Sequence, residues 1–284
     1  MKRMELKFFT DDENFPFFIQ YGKHDEDMFV HTHVDFSELV IVLQGNATHI
    51  VDNERFFINK GDVFVISNDT AHGYESTESF RICNIMFRPE TILSADYDVK
   101  KSAGFHALFM LEPYFTKEHR FHSSFKLSPS DFEIVKNITD GMLAEYQTNE
   151  DGHKTILIAS FLQLVVRLSR LYNLNNFTNK PDVINIAKTV SYIENHYTEN
   201  ISIKYLAEIA HYSSRHFTRI FTDTYNTTPI NYITSLRISK ACTLLKEGKL
   251  SVSDIALMCG FSDSNYFSRI FKKRIGVSPK LYRQ

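Results

Sequence analysis

The feature that most constrains this chain is a pattern written twice near its C-terminal end. Residues 202–232 read SIKYLAEIAHYSSRHFTRIFTDTYNTTPINY, and residues 251–282 read SVSDIALMCGFSDSNYFSRIFKKRIGVSPKLY. The offset is 49 residues up to an inter-helix turn and 50 beyond it, so that Leu206 matches Ile255, Ala207 matches Ala256, Phe217 matches Phe267, Arg219 matches Arg269 and Pro229 matches Pro279. Each copy reads as a short helix, a tight turn and a second helix, over about 202–226 and about 251–276. The small Ala207 and Ala256 let the paired helices approach closely. Gly260 supplies the positive φ of the turn, and His211 tolerates that region better than most non-glycine residues. Ser213 and Ser262 are expected to cap the second helices, and Asn226 and Gly276 to close them in a left-handed conformation.

In the second helix of each copy, Phe217, Ile220 and Phe221, or Phe267, Ile270 and Phe271, recur at i, i+3, i+4 and belong to a core. That leaves Ser214, Arg215, Thr218, Arg219 and Thr222 facing out in the first copy, and Ser264, Asn265, Ser268, Arg269 and Lys272 in the second. Polar residues opposite an apolar stripe are commonly a solvated face. A duplicated motif with Arg at the same place in both copies points further, because Arg matches guanine and Asn matches adenine in bidentate geometry, while Lys and hydroxyls reach phosphates. Between the copies, residues 229–246 form a helix with Pro229 near its start and Gly248 after its end. Its length of about 27 Å suits two recognition helices placed about one DNA turn, near 34 Å, apart.

The segment from about 182 to 284 resembles the DNA-binding domain of the AraC/XylS family of bacterial transcription regulators, with IALMCGFSDSNYFSRIFKKRIGVSPKLYR closely following the family's signature. The resemblance implies a sequence-specific regulator, usually an activator, bound to double-stranded promoter DNA, with RNA polymerase as a further partner. His211, where the family more usually has glycine, is the main departure and is expected only to modify the first turn.

Charge follows the same division. From Pro181 onward there are 14 Lys and Arg against 8 Asp and Glu, which leaves 18 against 26 before it. The overall net charge of −2 therefore hides a basic part and an acidic part.

The acidic part begins with short Val-, Ile- and Phe-rich runs between Phe15 and Phe87, punctuated by the turn signals Asp52-Asn53 and Asn59-Lys60-Gly61. About eight short strands in an antiparallel sandwich or small barrel are expected over residues 1–128, preceded by an N-terminal arm. Within them His31, His33, Glu38 and His72 are suited first to line a ligand pocket through hydrogen bonds, then to form a retained structural network, and are also sufficient ligands for a divalent metal. His33 and Glu38 are five apart, so a regular strand would send them to opposite faces, and a bulge near Asp35-Phe36 is expected. The spacing resembles the cupin motifs, although Ser67 and Asp69 stand where cupins commonly have Pro and Gly. The blocks at residues 31–42, 72–77 and 84–89 also resemble the L-rhamnose-responsive regulators of the same family, which implies a sugar or small polyol effector.

Residues 129–174 read as two helices. Ser130-Asp131-Phe132-Glu133 has capping-box form, and a second helix runs from Lys154 to Tyr172. That second helix is apolar on more than one side, which suits a dimer contact or an intramolecular helix pair. Residues 175–181 are an Asn-rich linker ended by Pro181. Cys83, Cys242 and Cys259 have no paired spacing, which fits a reducing cytoplasm, and no run reads as a membrane span or export signal.

The expected fold is thus multi-domain α and β: a cupin-like antiparallel barrel with a helical pair, then an all-α domain with two helix-turn-helix motifs. The expected function is a cytoplasmic, homodimeric, ligand-responsive DNA-binding regulator needing no catalytic residue and no obligatory cofactor. Two alternatives stay open at this point: a metal-dependent cupin enzyme with an appended helical module, and an effector-independent DNA-binding regulator.

Overall fold

A computed structural model describes residues 2–52, 54–68, 70–89, 97–117, 125–148, 150–175 and 181–283. The chain divides into two compact units, residues 1–187 and 188–284.

The first unit is built on β1 (Lys2–Met4), β2 (Phe17–His24), β3 (Met28–His33), β4 (Ser37–Val51), β5 (Glu54–Asn59), β6 (Asp62–Ile66), β7 (His72–Phe87) and β8 (Phe125–Lys126). Eight strands are present among the described residues, but they are not uniformly short. β4 is one continuous 15-residue strand, and β7 extends over 16 residues. The two long strands pair antiparallel throughout, with register shifts between Val42 and Thr48. One half of the pair carries β2 and β6, and the other carries β3 and β5. The register shifts bracket Gly45, whose φ is +72°, and a Cβ there would stand 2.2 Å from the Glu78 carbonyl oxygen. Glycine is therefore required at the crossing by both conformation and space. Val40, Val42, Ala47, Ile58, Phe80 and Ile82 fill the sheet's inner face.

The bulge expected near Asp35-Phe36 is not how the chain solves its parity problem. β3 ends at His33 and β4 begins at Ser37, so a bend across Val34-Asp35 resets the alternation between two separate strands. Asp52 takes φ +45° and Gly61 φ +93°, in keeping with their turn signals; Asn53 and Asp69 lie outside the described residues.

After the barrel, α1 (Ala103–Phe105) runs through a π-helical turn (His106–Leu111) into α2 (Glu112–Lys117). His106 is buried and its Nε2 donates to the Lys100 carbonyl at 2.6 Å. Burial holds its pKa down at about 3. Between pH 6.5 and 3 the unfolded chain binds a proton here that the folded chain refuses, so this residue's contribution is intact above pH 6.5 and is lost progressively on acidification toward pH 3. His106→Gln keeps a donor and removes the titration. Its melting temperature should fall less than that of the parent between pH 7 and pH 5; equal slopes would contradict the assignment.

Helices α3 (Pro129–Thr148) and α4 (His153–Asn175) pack on each other and on the sheet. The cap of α3 is Ser128 rather than Ser130: Ser128 Oγ accepts from the Asp131 N–H at 3.2 Å, and Pro129 takes the first helical position, where its missing N–H costs nothing. In α4, Leu157, Phe161, Leu164, Val165 and Leu168 are fully buried, with Phe161 against Phe17 and Phe87. By length and composition α4 alone among the described residues could cross a membrane, yet much of it, including these five residues, is buried inside this core. Among the described side chains, the large apolar ones left exposed on the pair are Ile134 and Ile156. The expected linker is shorter than its composition suggested, since Asn175 still belongs to α4 and Pro181 opens α5 (Pro181–His196); residues 176–180 lie outside the described residues.

The second unit contains α6 (Ile203–Ile209), α7 (Ser214–Tyr225), α8 (Pro229–Glu247), α9 (Val252–Met258), α10 (Ser264–Ile275) and α11 (Pro279–Tyr282). Its duplicated sequence becomes duplicated geometry. Ser202 and Ser251 cap α6 and α9 through the N–H groups of Tyr205 and Asp254. The turns repeat a bond from the Tyr212 N–H to the Ala207 carbonyl and from the Phe261 N–H to the Ala256 carbonyl. His211 sits at φ +58° and Gly260 at φ +85°, so histidine does occupy the left-handed turn position. Asn226 and Gly276 close α7 and α10 with φ +52° and +91°. One cap differs from expectation: Ser213 caps α7, but α10 is capped by Asp263, not Ser262, its carboxylate accepting from the N–H groups of Asn265 and Tyr266.

Candidate functional site: a duplicated polar face and a buried histidine cluster

In both helix-turn-helix copies the core stripe is buried, with Phe217, Phe221, Phe267 and Phe271 fully enclosed. The opposite face is presented outward. Arg215, Arg219, Asn265, Arg269 and Lys272 are exposed, Ser214 is exposed, and Thr218, Thr222, Ser264 and Ser268 are half-buried. Thr222 Oγ1 donates to the Thr218 carbonyl at 2.7 Å, which commits that hydroxyl to its own helix. The Arg269 guanidinium lies 5.5 Å from the centre of the Tyr266 ring, which steers the side chain along the outer face.

Other arginines of this unit have structural duties. Arg237 donates to the Tyr197 and Glu199 carbonyls, Arg283 to the Leu250 carbonyl, and Arg274 to Ser235 and Asn231. Arg237 and Arg274 thus bind α8 to its surroundings, and α8 in turn supplies Ile238, Ala241 and Leu245 to the core of the second copy. Two similar reading heads are held by one 19-residue helix, about 28 Å long.

The first unit has a different kind of site. His31, His33, Glu38 and His72 are brought together and all are buried. Cross-strand pairing of His31 with His72 joins β3 to β7, and Glu38 enters from β4. His33 Nε2 and His72 Nε2 are 3.1 Å apart, and each is 3.6 Å from Glu38 Oε2. Loss of water dominates the electrostatics. Desolvation, with the neighbouring imidazole of His31 adding to it, holds His33 at about 3, while desolvation lifts Glu38 to about 8. His72 is also pushed far down, by burial and then by the surrounding histidines. Burial thus disfavours charge on every member of the cluster.

Two neighbours escaped the sequence reading. His49 is fully buried and stacks on Phe64 at 4.7 Å, and Tyr74 is buried beside both His49 and His72. Both follow from strand alternation, His49 lying two residues before Val51 and Tyr74 two after His72. The N-terminal arm also reaches this region. β1 runs parallel to β3 with Met4 opposite His33, Leu6 is buried, and Phe36 stacks on the His33 ring at 4.3 Å while making an edge contact with Phe9 at 6.0 Å.

A paired helix-turn-helix with matching outward arginines, joined in sequence to a small antiparallel barrel with a polar interior, defines a DNA-binding transcription regulator. Residues 206–284 match the helix-turn-helix domain, and residues 14–127 match the AraC-like ligand binding domain. The chain belongs to the AraC family. It is 27% identical over all of its length, and 95% of the relative's, to the HTH-type transcriptional activator RhaR of Pectobacterium carotovorum. It is 28% identical to the HTH-type transcriptional activator RhaS of an Enterobacter species, over 89% of this chain and 86% of that one. Among solved structures, the C-terminal domain of the response regulator yesN from Fusobacterium nucleatum is 32% identical over 34% of this chain and 94% of that one, with a TM-score of 0.33. These relatives are regulators, not enzymes, which sets the metal-dependent enzyme alternative aside.

Proposed function

We propose that the chain is a cytoplasmic, homodimeric transcriptional activator that couples a sugar bound in the barrel to promoter binding. L-rhamnose or a related sugar is the first candidate, because the barrel blocks resemble the L-rhamnose-responsive regulators, and the relatives' names support activation. His31, His33, Glu38 and His72 line the effector site. Ser214, Arg215, Thr218, Arg219 and Thr222, with Ser264, Asn265, Ser268, Arg269 and Lys272, face promoter DNA. RNA polymerase is the downstream partner, and the exposed apolar residues Ile134 and Ile156 of the α3–α4 pair are offered for the dimer contact.

The observation that carries the sugar reading is the state of the buried polar atoms. Among the described residues, Glu38 Oε2, His33 Nδ1, His72 Nδ1 and the Tyr74 hydroxyl are buried and meet no hydrogen-bond partner. A merely structural network would satisfy its own members, since each unsatisfied buried group costs about 1–3 kcal/mol. A polyhydroxylated guest supplies both donors and acceptors at this place. Phe36 links the cluster to the arm, so a guest that moves His33 also changes the arm's seat.

The test is a panel of sugars followed by melting temperature, DNA footprint on neighbouring promoters, and expression of a promoter reporter. A sugar at 100 times its dissociation constant should add about 2.7 kcal/mol of stability and raise reporter output. A panel that never shifts melting or footprint would favour the effector-independent regulator instead.

A further inference from the structure

Helix α8 carries both reading heads, but one helix is a weak gauge of the angle between them, because it leaves each head free to rock on its own side chains. We infer that Arg237, seconded by Arg274, is a positioning residue that locks the second head to the first and so fixes the half-site spacing the chain accepts. This role rests on the reading of the duplicated polar face as the DNA surface, and it needs no effector.

The first head holds the early part of α8. Tyr232 packs on Phe221 and Tyr225 of α7, with ring centres 5.4 and 5.7 Å away, and its hydroxyl donates to the buried carboxylate of Glu194 near the end of α5. The second head holds the later part, through Ile238, Ala241 and Leu245.

Arg237 stands between these two sets of contacts. Its Nε and Nη2 donate to the carbonyls of Tyr197 and Glu199 at 2.6 and 2.7 Å. Those carbonyls lie just past the end of α5, where backbone oxygens have no partner within a helix. A guanidinium suits the place because its planar fork presents several donors in one fixed geometry, which a lysine does not. The same guanidinium lies 5.8 Å from the centre of the Phe261 ring, in the turn of the second head. One side chain on α8 therefore meets both the turn after α5 and the second head. Backbone closes the same contact, since a Cβ on Gly260 would stand 2.3 Å from the Thr198 carbonyl oxygen. Residues 197–199, tied to the first head through Glu194 and Tyr232, thus abut the turn of the second.

Arg274 makes the return connection. It belongs to α10 of the second head, yet its Nη1 and Nη2 donate to Ser235 and Asn231 at 3.1 and 3.3 Å, in the part of α8 that carries Tyr232. Two arginines bridge the heads at separate points, which resists rocking where a single one would act as a pivot.

DNA converts this rigidity into selectivity. Adding or removing one base pair between half-sites moves the second by about 3.4 Å along the duplex and about 35° around it. Braced heads meet that change only by deforming the duplex, which costs affinity, whereas loosened heads follow the half-site.

The test measures binding of the full chain to a duplex it selects from random-sequence DNA. The same duplex is then used with one base pair inserted or deleted between the two segments that one subunit protects. The parent should lose about 10-fold or more in affinity on either change, and Arg237→Met less than about 3-fold. The ratio between spacings is the readout, because any destabilised variant binds less overall. Ile255→Val, in the core of the second head, should lower the melting temperature yet keep the parent's ratio. Arg274→Met alters an exposed residue and should also lower the ratio, so the brace stays testable if circular dichroism shows Arg237→Met unfolded. Equal tolerance of all three spacings by the parent would overturn the inference. So would the parent's ratio in folded Arg237→Met, or in Arg274→Met should the former not fold, and so would a ratio as low as theirs in Ile255→Val. A selection that yields no bound duplex, or full affinity in both Arg219→Ala and Arg269→Ala, would overturn the DNA surface first and this role with it.

Discussion

Arg219→Ala and Arg269→Ala are each expected to weaken operator binding by about 1–3 kcal/mol, or roughly 5- to 150-fold, without lowering the melting temperature. The two residues occupy the same place in the two copies, are exposed, and lie on the face opposite the buried phenylalanines. Contrast with Arg237 sharpens the expectation. Arg237 donates to the Tyr197 and Glu199 carbonyls, so its removal should cost stability as well as affinity. Fluorescence anisotropy of a labelled operator over a range of salt separates the roles further. An arginine on phosphate lowers the salt slope by about one and weakens all sequences alike, whereas an arginine on a base edge relaxes preference at that position. Unchanged affinity in both variants would defeat the assignment.

The second large effect belongs to Gly260. Its alanine variant should destabilise the second helix-turn-helix by about 3 kcal/mol, combining left-handed strain with overpacking, each worth about 1–3 kcal/mol. Strain alone is an insufficient account, because the first copy places His211 in the same left-handed region. The difference lies in the neighbour: a Cβ on Gly260 would stand 2.3 Å from the Thr198 carbonyl oxygen, and backbone cannot step aside cheaply. His211→Gly should therefore be close to neutral, while Gly260→Ala should melt early and lose one of two DNA contacts. Equal stability of the two variants in thermal denaturation would show that Thr198 does not confine the turn.

The helical half was legible because its signals are local. Serine caps, left-handed closing residues and an i, i+3, i+4 apolar stripe act within one or two turns, and nearly all survive in the structure. The Ser262 expectation failed where the repeat offset changes from 49 to 50. The added residue moves the second helix start along by one, and Asp263 takes two N–H groups instead of the single one that Ser213 takes. Ser130 failed similarly, since a proline at the first helical position shifts the cap to Ser128.

The barrel was legible as strand content and as a cluster, but not as a path. Gly45 reads locally as the end of a strand, yet its requirement comes from Glu78 across the pair, 33 residues away. Parity correctly flagged His33 and Glu38 as unable to converge on one regular strand. It could not say whether a bulge or two separate strands would bring them together, because both reset the alternation. His49 and Tyr74 were reachable by extending the alternation from Val51 and His72, once those positions are assigned to the inner face.

The proposed regulator has two non-identical heads, fixed by α8, that read one duplex under the control of the barrel. Hydroxyl-radical footprinting on the operator, with and without the effector sugar, tests it most directly. Each subunit should protect two segments about 10 base pairs apart on one face of the DNA, strengthened by sugar, with Arg219→Ala erasing one segment of each pair and Arg269→Ala the other. A single segment per subunit, or simultaneous loss of both with either variant while the protein remains folded, would contradict two independent heads.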